Sequence, residues 1–464
     1  MKRTILFLAL LAGATLCAHT IKAQGIMTTI AGYDTTGGYS GDGGPATDAK
    51  LSFPSFICLD KASNLYFVDQ GNNVIRKIDA VTGIINTIAG NGTSVHAGDN
   101  GPATSAALNS PYGMCMDTSG NIYISEVTGS TIRKVDATTG IITTIAGLNE
   151  MFGYSGDNGA ATNAELNEPQ GIRMDAAGNL YIADAMNNVI RKVTASTGII
   201  STVAGNYALN TSTDSSINVG GYTGDGGPAT SAQLYTPCDI CFDNSGNMYI
   251  ADYSNHVVRM VNAITGIVST FAGNGINAYS GDGGQATAAE MMDPIAVNID
   301  NEGNIYIGDQ SCMIRKVDAA SRIISTVAGT DSTGYTGSEG LATAVELNVP
   351  SGICMDINNN IYIADAGNNM IRKATQTPTQ VNNIPTTGTI SIFPNPTTGK
   401  FTVHSNGLQN NVPVAVYNTL GEKVYQTTLT ATQTDIDLGS QPAGVYYVML
   451  KGESGEKVRK FIKE

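Results

Sequence analysis

The 464-residue chain contains no tryptophan, only four histidines, and few charged residues, which make up 14% of it. Typical soluble domains carry roughly 25% charged residues. The absence of tryptophan excludes stacking of a ligand on an indole ring. Glycine is abundant, at 54 residues, and turn-forming stretches separate short apolar runs. This composition is typical of an all-β protein rich in turns.

Long apolar runs are also lacking, except at the N-terminus. There a basic Met1-Lys2-Arg3 is followed by an apolar run from Ile5 to Ala18 and by small residues up to Ala23. The run is too short to span a bilayer, and the pattern predicts a signal peptide over residues 1–23. We therefore expect an exported chain with no membrane span.

An internal repeat occupies most of the chain. A strand with an Asn-x-Tyr motif recurs six times, and its tyrosines are spaced by 57, 58, 68, 57 and 56 residues. The long interval carries an insertion around residues 206–218. Each copy contains four short strands joined by turns, which indicates one propeller blade. The tyrosines of the six copies are Tyr66, Tyr123, Tyr181, Tyr249, Tyr306 and Tyr362.

The repeat region begins with the last strand of a blade and ends before the last strand of another. The first Thr-x-Ala-Gly strand, Thr29–Gly32, precedes any complete copy, and the sixth copy stops after Ile371-Arg372-Lys373 without a fourth strand. We therefore expect the N-terminal strand to complete the last blade and remove the free edge of the ring. The predicted fold is an all-β, six-bladed β-propeller over residues 25–373, closed by the N-terminal strand.

The repeat motifs Tyr-Ile-Ala-Asp, Asn-Asn-Val-Ile-Arg-Lys and Ser-Gly-Asp-Gly-Gly-Pro-Ala-Thr resemble NHL repeats. The resemblance covers six copies and implies an NHL-like ring. It says little about activity, because one fold hosts many functions.

The C-terminal region has a different pattern. A linker over residues 374–388 is followed by alternating short strands over residues 389–464, which predict a small antiparallel β-sandwich. Its motifs resemble the type A sorting domain of the Bacteroidetes type IX secretion system. That resemblance implies secretion by way of the periplasm to the medium or the outer cell surface, with the secretion machinery as a partner; an ordinary sugar-binding sandwich is the alternative. The matching segments are Phe393-Pro394-Asn395-Pro396, Leu420-Gly421, Ala443-Gly444-Val445-Tyr446 and the basic end.

The long loops define a candidate binding face. Antiparallel alternation places the turn after the second strand and the connection between blades on one face of the ring, here called the loop face. The connections are about twenty residues long, and long loops commonly bind ligands. Their Gly-Asp carboxylates are candidate ligand-binding residues, with calcium as a possible cofactor, although the spacing of a calcium loop is missing. They could instead cap their own turns. These residues are Asp42, Asp99, Asp157, Asp225 and Asp282.

A second set of carboxylates has a structural explanation. Each ends a second strand and can pair with an arginine of the third strand across the same hairpin. The expected pairs are Asp69 with Arg76, Asp184 with Arg191, Asp252 with Arg259 and Asp365 with Arg372, and the same reasoning extends to Glu126 with Arg133 and Asp309 with Arg315.

The cysteines do not form a disulfide framework. Because one repeat slot holds cysteine in four copies and Arg or Asn in two, we expect a tolerant strand position with buried structural thiols. The slot is filled by Cys58, Cys115, Arg173, Cys241, Asn298 and Cys354.

Charge and the scarcity of histidine limit the function. The net charge is −14, the leader carries three basic residues, and the tail has one more basic than acidic residue, so the ring and linker carry about −18. Nucleic acid requires a basic face and is excluded. His96 and His256 are not equivalent in the repeat, and no catalytic or metal-binding residue can be named. We predict a monomer that binds a protein or glycan; the alternative is a metal-dependent hydrolase or lyase that uses the central channel.

Overall fold

The computed structural model describes residues 25–209, 220–375, 390–405, 412–418, 423–429, 433–452 and 455–464. They belong to two compact units, the repeat region and the C-terminal region. Both units are all-β, and the described residues include no α-helix. The predicted leader (residues 1–23) and residues 376–388 of the predicted linker lie outside the described residues.

The described part of the repeat region contains six antiparallel sheets, one for each sequence copy. The first five sheets each have four strands in chain order. Their bounds are β2 Pro54–Leu59, β3 Leu65–Asp69, β4 Val74–Ile78 and β5 Ile85–Ala89; β6 Pro111–Met116, β7 Ile122–Glu126, β8 Thr131–Val135 and β9 Ile142–Ala146; β10 Pro169–Met174, β11 Leu180–Asp184, β12 Val189–Val193 and β13 Ile200–Ala204; β14 Pro237–Phe242, β15 Met248–Asp252, β16 Val257–Val261 and β17 Val268–Ala272; β18 Pro294–Ile299, β19 Ile305–Asp309, β20 Met313–Val317 and β21 Ile324–Gly329.

The sixth sheet combines strands from both ends of the repeat region. The short strand β22 (Glu339–Leu341) and strands β23 (Pro350–Met355), β24 (Ile361–Asp365) and β25 (Met370–Thr375) share this sheet with β1 (Ile26–Ala31). Strand β1 lies antiparallel to β25, and its fully buried Met27 pairs with Ala374. Because Ala374 and Thr375 take part in this pairing, the last strand runs two residues beyond the expected end of the ring at Lys373.

The core lies between adjacent blades, where β-branched and aromatic residues of facing sheets meet. For example, Ile57 and Phe67 of the first blade share one buried cluster with Tyr362 and Ile371 of the sixth. Packing of this kind buries both faces of a sheet that would be exposed in isolation.

Single turns of 3-10 helix interrupt the loops. Four of those that follow second strands end in a residue with left-handed backbone, which reverses the chain into the third strand. The turns are Ala46–Asp48, Gln70–Asn72, Ala103–Ser105, Ala161–Asn163, Ala185–Asn187, Tyr207–Leu209, Ala229–Ser231, Tyr253–Asn255, Ala286–Ala288, Ala342–Ala344 and Ala366–Asn368.

The C-terminal unit is a small sandwich of two antiparallel sheets. Phe401 and Ile436 of one sheet share a buried cluster with Val416, Val448 and Phe461 of the other. The first sheet has the order β26-β27-β30 and the second β29-β28-β31-β32, with bounds β26 Ile390–Phe393, β27 Lys400–Ser405, β28 Val412–Asn418, β29 Lys423–Leu429, β30 Gln433–Asp437, β31 Gly444–Gly452 and β32 Gly455–Lys463.

Candidate binding face of the propeller

Part of each inter-blade connection pairs with the outer strand of the blade that follows it. In the first blade the Gly43 N–H donates to the Ile85 carbonyl, and the Ile85 N–H donates to Gly44. Equivalent bridges recur in the next four blades. They cover the outer edge of each sheet, which would otherwise expose unpaired backbone groups.

Buried arginines fasten these connections to the blades. Arg76 is fully buried, and its Nη2 lies 2.7 Å from Oδ1 of Asp42. Each Gly-Asp carboxylate therefore contacts an arginine of its blade, a contact that neither the ligand-binding nor the turn-capping interpretation of the sequence predicted. The corresponding distances are 2.6 Å from Arg133 to Asp99, 2.9 Å from Arg191 to Asp157, 2.6 Å from Arg259 to Asp225 and 2.7 Å from Arg315 to Asp282.

The same arginines contact the carboxylates at the strand ends. Arg76 Nη1 lies 3.2 Å from Asp69 Oδ2, and both side chains are completely buried. Burial raises the pKa of Asp69 to about 6, while hydrogen bonds from Asn72 and Arg76 oppose this shift. The corresponding distances are 3.3 Å for Asp184–Arg191, 3.4 Å for Asp252–Arg259, 3.6 Å for Asp365–Arg372 and 3.2 Å for Glu126–Arg133.

The fifth blade departs from this arrangement, and the expected Asp309–Arg315 pair is wrong. Its hairpin is one residue shorter, so the asparagine that supports the aspartate elsewhere is missing. Arg315 instead directs Nε and Nη2 to Asp282, at 3.1 and 2.7 Å. Asp309 Oδ2 is buried without a hydrogen-bond partner. Burial raises the pKa of Asp309 to about 6.

Tyrosines of the connections cover the arginines. The Arg76 guanidinium lies 5.1 Å from the ring centre of Tyr39, whose hydroxyl is 2.8 Å from Thr87 Oγ1. In the second blade His96 takes the place of this tyrosine, and its Nδ1 lies 2.5 Å from Oε2 of the buried Glu126. Such stacking and hydrogen-bonding contacts connect the loops to the blades.

Six residues directly before the inner strands share a left-handed backbone conformation. Each immediately precedes the proline that begins an inner strand, and their φ angles lie between 46° and 53°. Two backbone N–H groups at these positions, those of Phe53 and Thr236, donate to asparagines of the preceding blade at 2.7 Å. The six side chains all differ, so the sequence repeat did not predict that these residues share a backbone conformation. The six residues are Phe53, Ser110, Glu168, Thr236, Asp293 and Val349.

Exposed aromatic side chains of the described propeller lie on the loop face. The turns of the opposite face expose only aliphatic large side chains, such as Val81 and Ile264. Every inter-blade connection carries at least one acidic residue, and Lys50 is the one lysine or arginine in their described parts. The loop face is therefore aromatic and acidic. The exposed aromatic residues are Tyr33, Tyr39, Phe53, Phe152, Tyr222, Tyr235 and Tyr335.

Polar residues on the inner strands connect neighbouring blades. Arg173 Nε donates to the Ile240 carbonyl at 3.0 Å, and Asn298 Nδ2 donates to Ile353 at 2.6 Å. The repeat position of Arg173 and Asn298 is therefore not merely a tolerant strand position, because these two polar residues donate hydrogen bonds to the next blade.

The six cysteines of the described chain are free, and burial raises the pKa of Cys58 to about 12. Within the described ranges, no group of three or more His, Cys, Asp or Glu side chains is arranged to hold a metal ion.

Residues 391–464 match the family described as secretion system C-terminal sorting domain, and residues 91–155, 152–220 and 275–336 match the teneurin NHL domain. Together with the six sheets, these matches define the class: an NHL-type β-propeller that carries a type IX sorting domain, which directs the protein to the cell surface or the medium. No helix in the described parts of the chain has the length and apolar character needed to cross a membrane.

Two curated relatives match part of this chain. The chain is 26% identical over 280 residues to the chloroplastic protein SUPPRESSOR OF QUENCHING 1 of Arabidopsis thaliana, covering 59% of this chain and 26% of that protein. It is 26% identical over 292 residues to mouse teneurin-1, covering 55% of this chain and 10% of teneurin-1. The chain thus spans about a quarter or less of the length of these two relatives.

Two solved structures from Bacteroides thetaiotaomicron share the fold. One is a protein of unknown function, with a TM-score of 0.55 and 20% identity. The other is an auxiliary nutrient binding protein, with a TM-score of 0.53 and 16% identity. Each comparison covers 76% of both chains.

Proposed function

We propose that the chain is a secreted binding protein whose loop face recognises a protein or glycan. The observation that carries this proposal is the one-sided distribution of exposed aromatic side chains. Tyrosine and phenylalanine offer large contact areas with little loss of conformational entropy. A face with many carboxylates and almost no basic residues favours an uncharged or cationic ligand. The nutrient binding protein with the same fold is consistent with a binding role.

The arginine contacts support separate roles for the carboxylates and the aromatic residues of the loop face. The side chains of Asp42 and its equivalents are only 31% to 44% exposed, because one side of each carboxylate faces an arginine. We assign them first to holding the loops, with their outer edges available to a ligand or to calcium. The exposed aromatic residues then provide the contact surface.

Arrays of glycans and of candidate surface proteins, probed with the purified chain with and without calcium, test this function. The double variant Phe53→Ser and Tyr235→Asn installs residues that stand at the same positions in other blades, as Ser110 and Asn167 do. We expect it to fold normally and to lose binding. The control Ile264→Thr changes the opposite face to the residue found at Thr138 and should bind like the unmodified chain. Equal binding by the unmodified chain, the double variant and the control would show that Phe53 and Tyr235 of the loop face do not contact the ligand, contrary to the proposal.

A further inference from the structure

A second candidate site lies between the outer parts of the fourth and fifth blades. It is a cavity of about 230 Å³ formed by strands β16 and β17, by the loop leading into the fifth blade and by the turn before β21. Its principal residues are Met260, Phe271, Gln285 and Arg322. A cavity of this size is smaller than the roughly 300–1,000 Å³ typical of drug-sized ligands, so it suits a ligand of one ring.

The repeat changes at four lining positions of this junction together. Met260 replaces a lysine found in the other five blades, and Phe271 replaces Ile or Val. Gln285 stands where the first, second and fourth blades have proline and the third has alanine. Arg322 stands where the first four blades have glycine. The equivalent junctions of the ring therefore cannot form the same cavity lining.

Arg322 has an unusual backbone for an arginine. Its φ is 61°, close to the 66° to 69° of Gly83, Gly140, Gly198 and Gly266. This left-handed region is disfavoured for residues with a side chain, which is why glycine occupies it elsewhere. An arginine in this conformation carries backbone strain, and strain of this kind clusters at functional sites.

The guanidinium of Arg322 contacts an aromatic ring, while the residue as a whole is exposed. It lies 4.6 Å from the ring centre of Phe271, and its side chain makes no hydrogen bond or ion pair within the described part of the chain. Six other arginines of the propeller are fully buried, and Arg173 is largely buried, so Arg322 is the one exposed guanidinium among its described residues. A planar guanidinium beside an aromatic ring is suited to a bidentate contact with a planar anion.

From this geometry we propose that the cavity binds a small carboxylate carried on a single ring, with the carboxylate on Arg322 and the ring against Phe271 and Met260. A monoanion is favoured over phosphate because the chain carries a net charge of −14 and Arg322 is the one exposed guanidinium in the described propeller. The added negative charge of phosphate would be repelled more strongly. This site is independent of the loop face.

Calorimetric titration of the full chain with glucuronate, benzoate, glucose and inorganic phosphate tests the assignment. We expect saturable binding of glucuronate or benzoate, weakening as salt is added, and no binding of glucose. The variant Arg322→Gly restores the residue of the other turns and should keep or raise the melting temperature. It should weaken carboxylate binding by about tenfold or more, as loss of a charge-assisted contact implies.

Two further variants separate recognition from packing. Arg322→Lys keeps the charge but loses the planar fork and should also bind more weakly, while Phe271→Val, which matches Val203, should lower affinity without unfolding the chain. The proposal is overturned if neither carboxylate binds the unmodified chain, if phosphate binds as tightly, or if Arg322→Gly binds equally well. Equal binding with a lowered melting temperature would show that Arg322 only packs on Phe271.

Discussion

The guanidinium of Arg259 lies 2.6 Å from the carboxylate of Asp225, although 34 positions of the chain separate the two residues. Through its other nitrogen the same arginine lies 3.4 Å from Asp252 at the end of a second strand. One buried cation therefore joins a surface loop to the hairpin beneath it. This relationship recurs in the first four blades and positions the loops that form the loop face.

Loss of this arginine should be costly. The variant Arg259→Met leaves the fully buried Asp252 without its cation, and breaking a buried pair in this way costs about 3–5 kcal/mol. The variant Asp225→Asn removes a partly exposed partner and should cost less than about 1 kcal/mol. Urea unfolding followed by circular dichroism measures both. Similar losses of unfolding free energy in the two variants would contradict the expectation that the buried Asp252 contact of Arg259 contributes more than its Asp225 contact.

The fifth blade should respond differently to loss of its strand-end carboxylate. At neutral pH, Asp309→Asn should be neutral or stabilising, because Asp309 lacks an arginine partner and has one unpaired oxygen. Asp252→Asn should destabilise, because Arg259 loses a partner. Unfolding free energies of the two variants at pH 7 provide the comparison, and a larger loss for Asp309→Asn would contradict the observed contacts.

The pH dependence gives an independent check on Asp309. Its pKa is raised to about 6 in the folded chain, from the ordinary value of 3.8. The folded state therefore takes up the proton at higher pH than the unfolded state, and the cost of burying the charge is fully present above pH 6. As the pH falls from 6 towards 4, the unmodified chain should gain stability relative to Asp309→Asn, by up to about 3 kcal/mol. A relative loss over this range would be the wrong sign.

The cysteines should be unreactive in the folded chain. All six described thiols are free and, apart from the partly exposed Cys58, buried. Burial raises the pKa values of Cys58, Cys115, Cys238, Cys241, Cys312 and Cys354. Because the thiolate is the reactive form, labelling by a maleimide at neutral pH should be slow until urea unfolds the ring. Rapid labelling of several thiols in the native chain would contradict this packing.

The N-terminal strand should contribute to the stability of the whole ring. Met27→Ala removes a fully buried side chain from β1 and should cost about 2–5 kcal/mol. The control Val81→Ala alters a residue that is 92% exposed and should change stability by less than about 0.5 kcal/mol. Melting curves of both variants measure the difference. An unchanged transition for Met27→Ala would mean that β1 does not hold the sixth blade.

The blades were predictable because their strands repeat in sequence, and the phase of Thr29–Gly32 relative to the sixth copy predicted the position of β1. The double role of Arg76 was not predictable, because its contact with Asp42 depends on how a long loop folds back. The six left-handed residues that precede the inner-strand prolines, such as Phe53 and Val349, were not predictable, because they share a backbone conformation and no side-chain chemistry. The failed Asp309–Arg315 pair followed from a single missing hairpin residue.

Hydrogen-exchange mass spectrometry, performed on the chain with and without its strongest array ligand, tests the central claim that the loop face is the binding surface. The expected result is ligand-dependent protection in peptides that cover the inter-blade connections, including residues 33–53 and 220–236. Peptides from the opposite turns, such as residues 79–84 and 262–267, should exchange as before. Protection confined to those opposite turns would contradict the account.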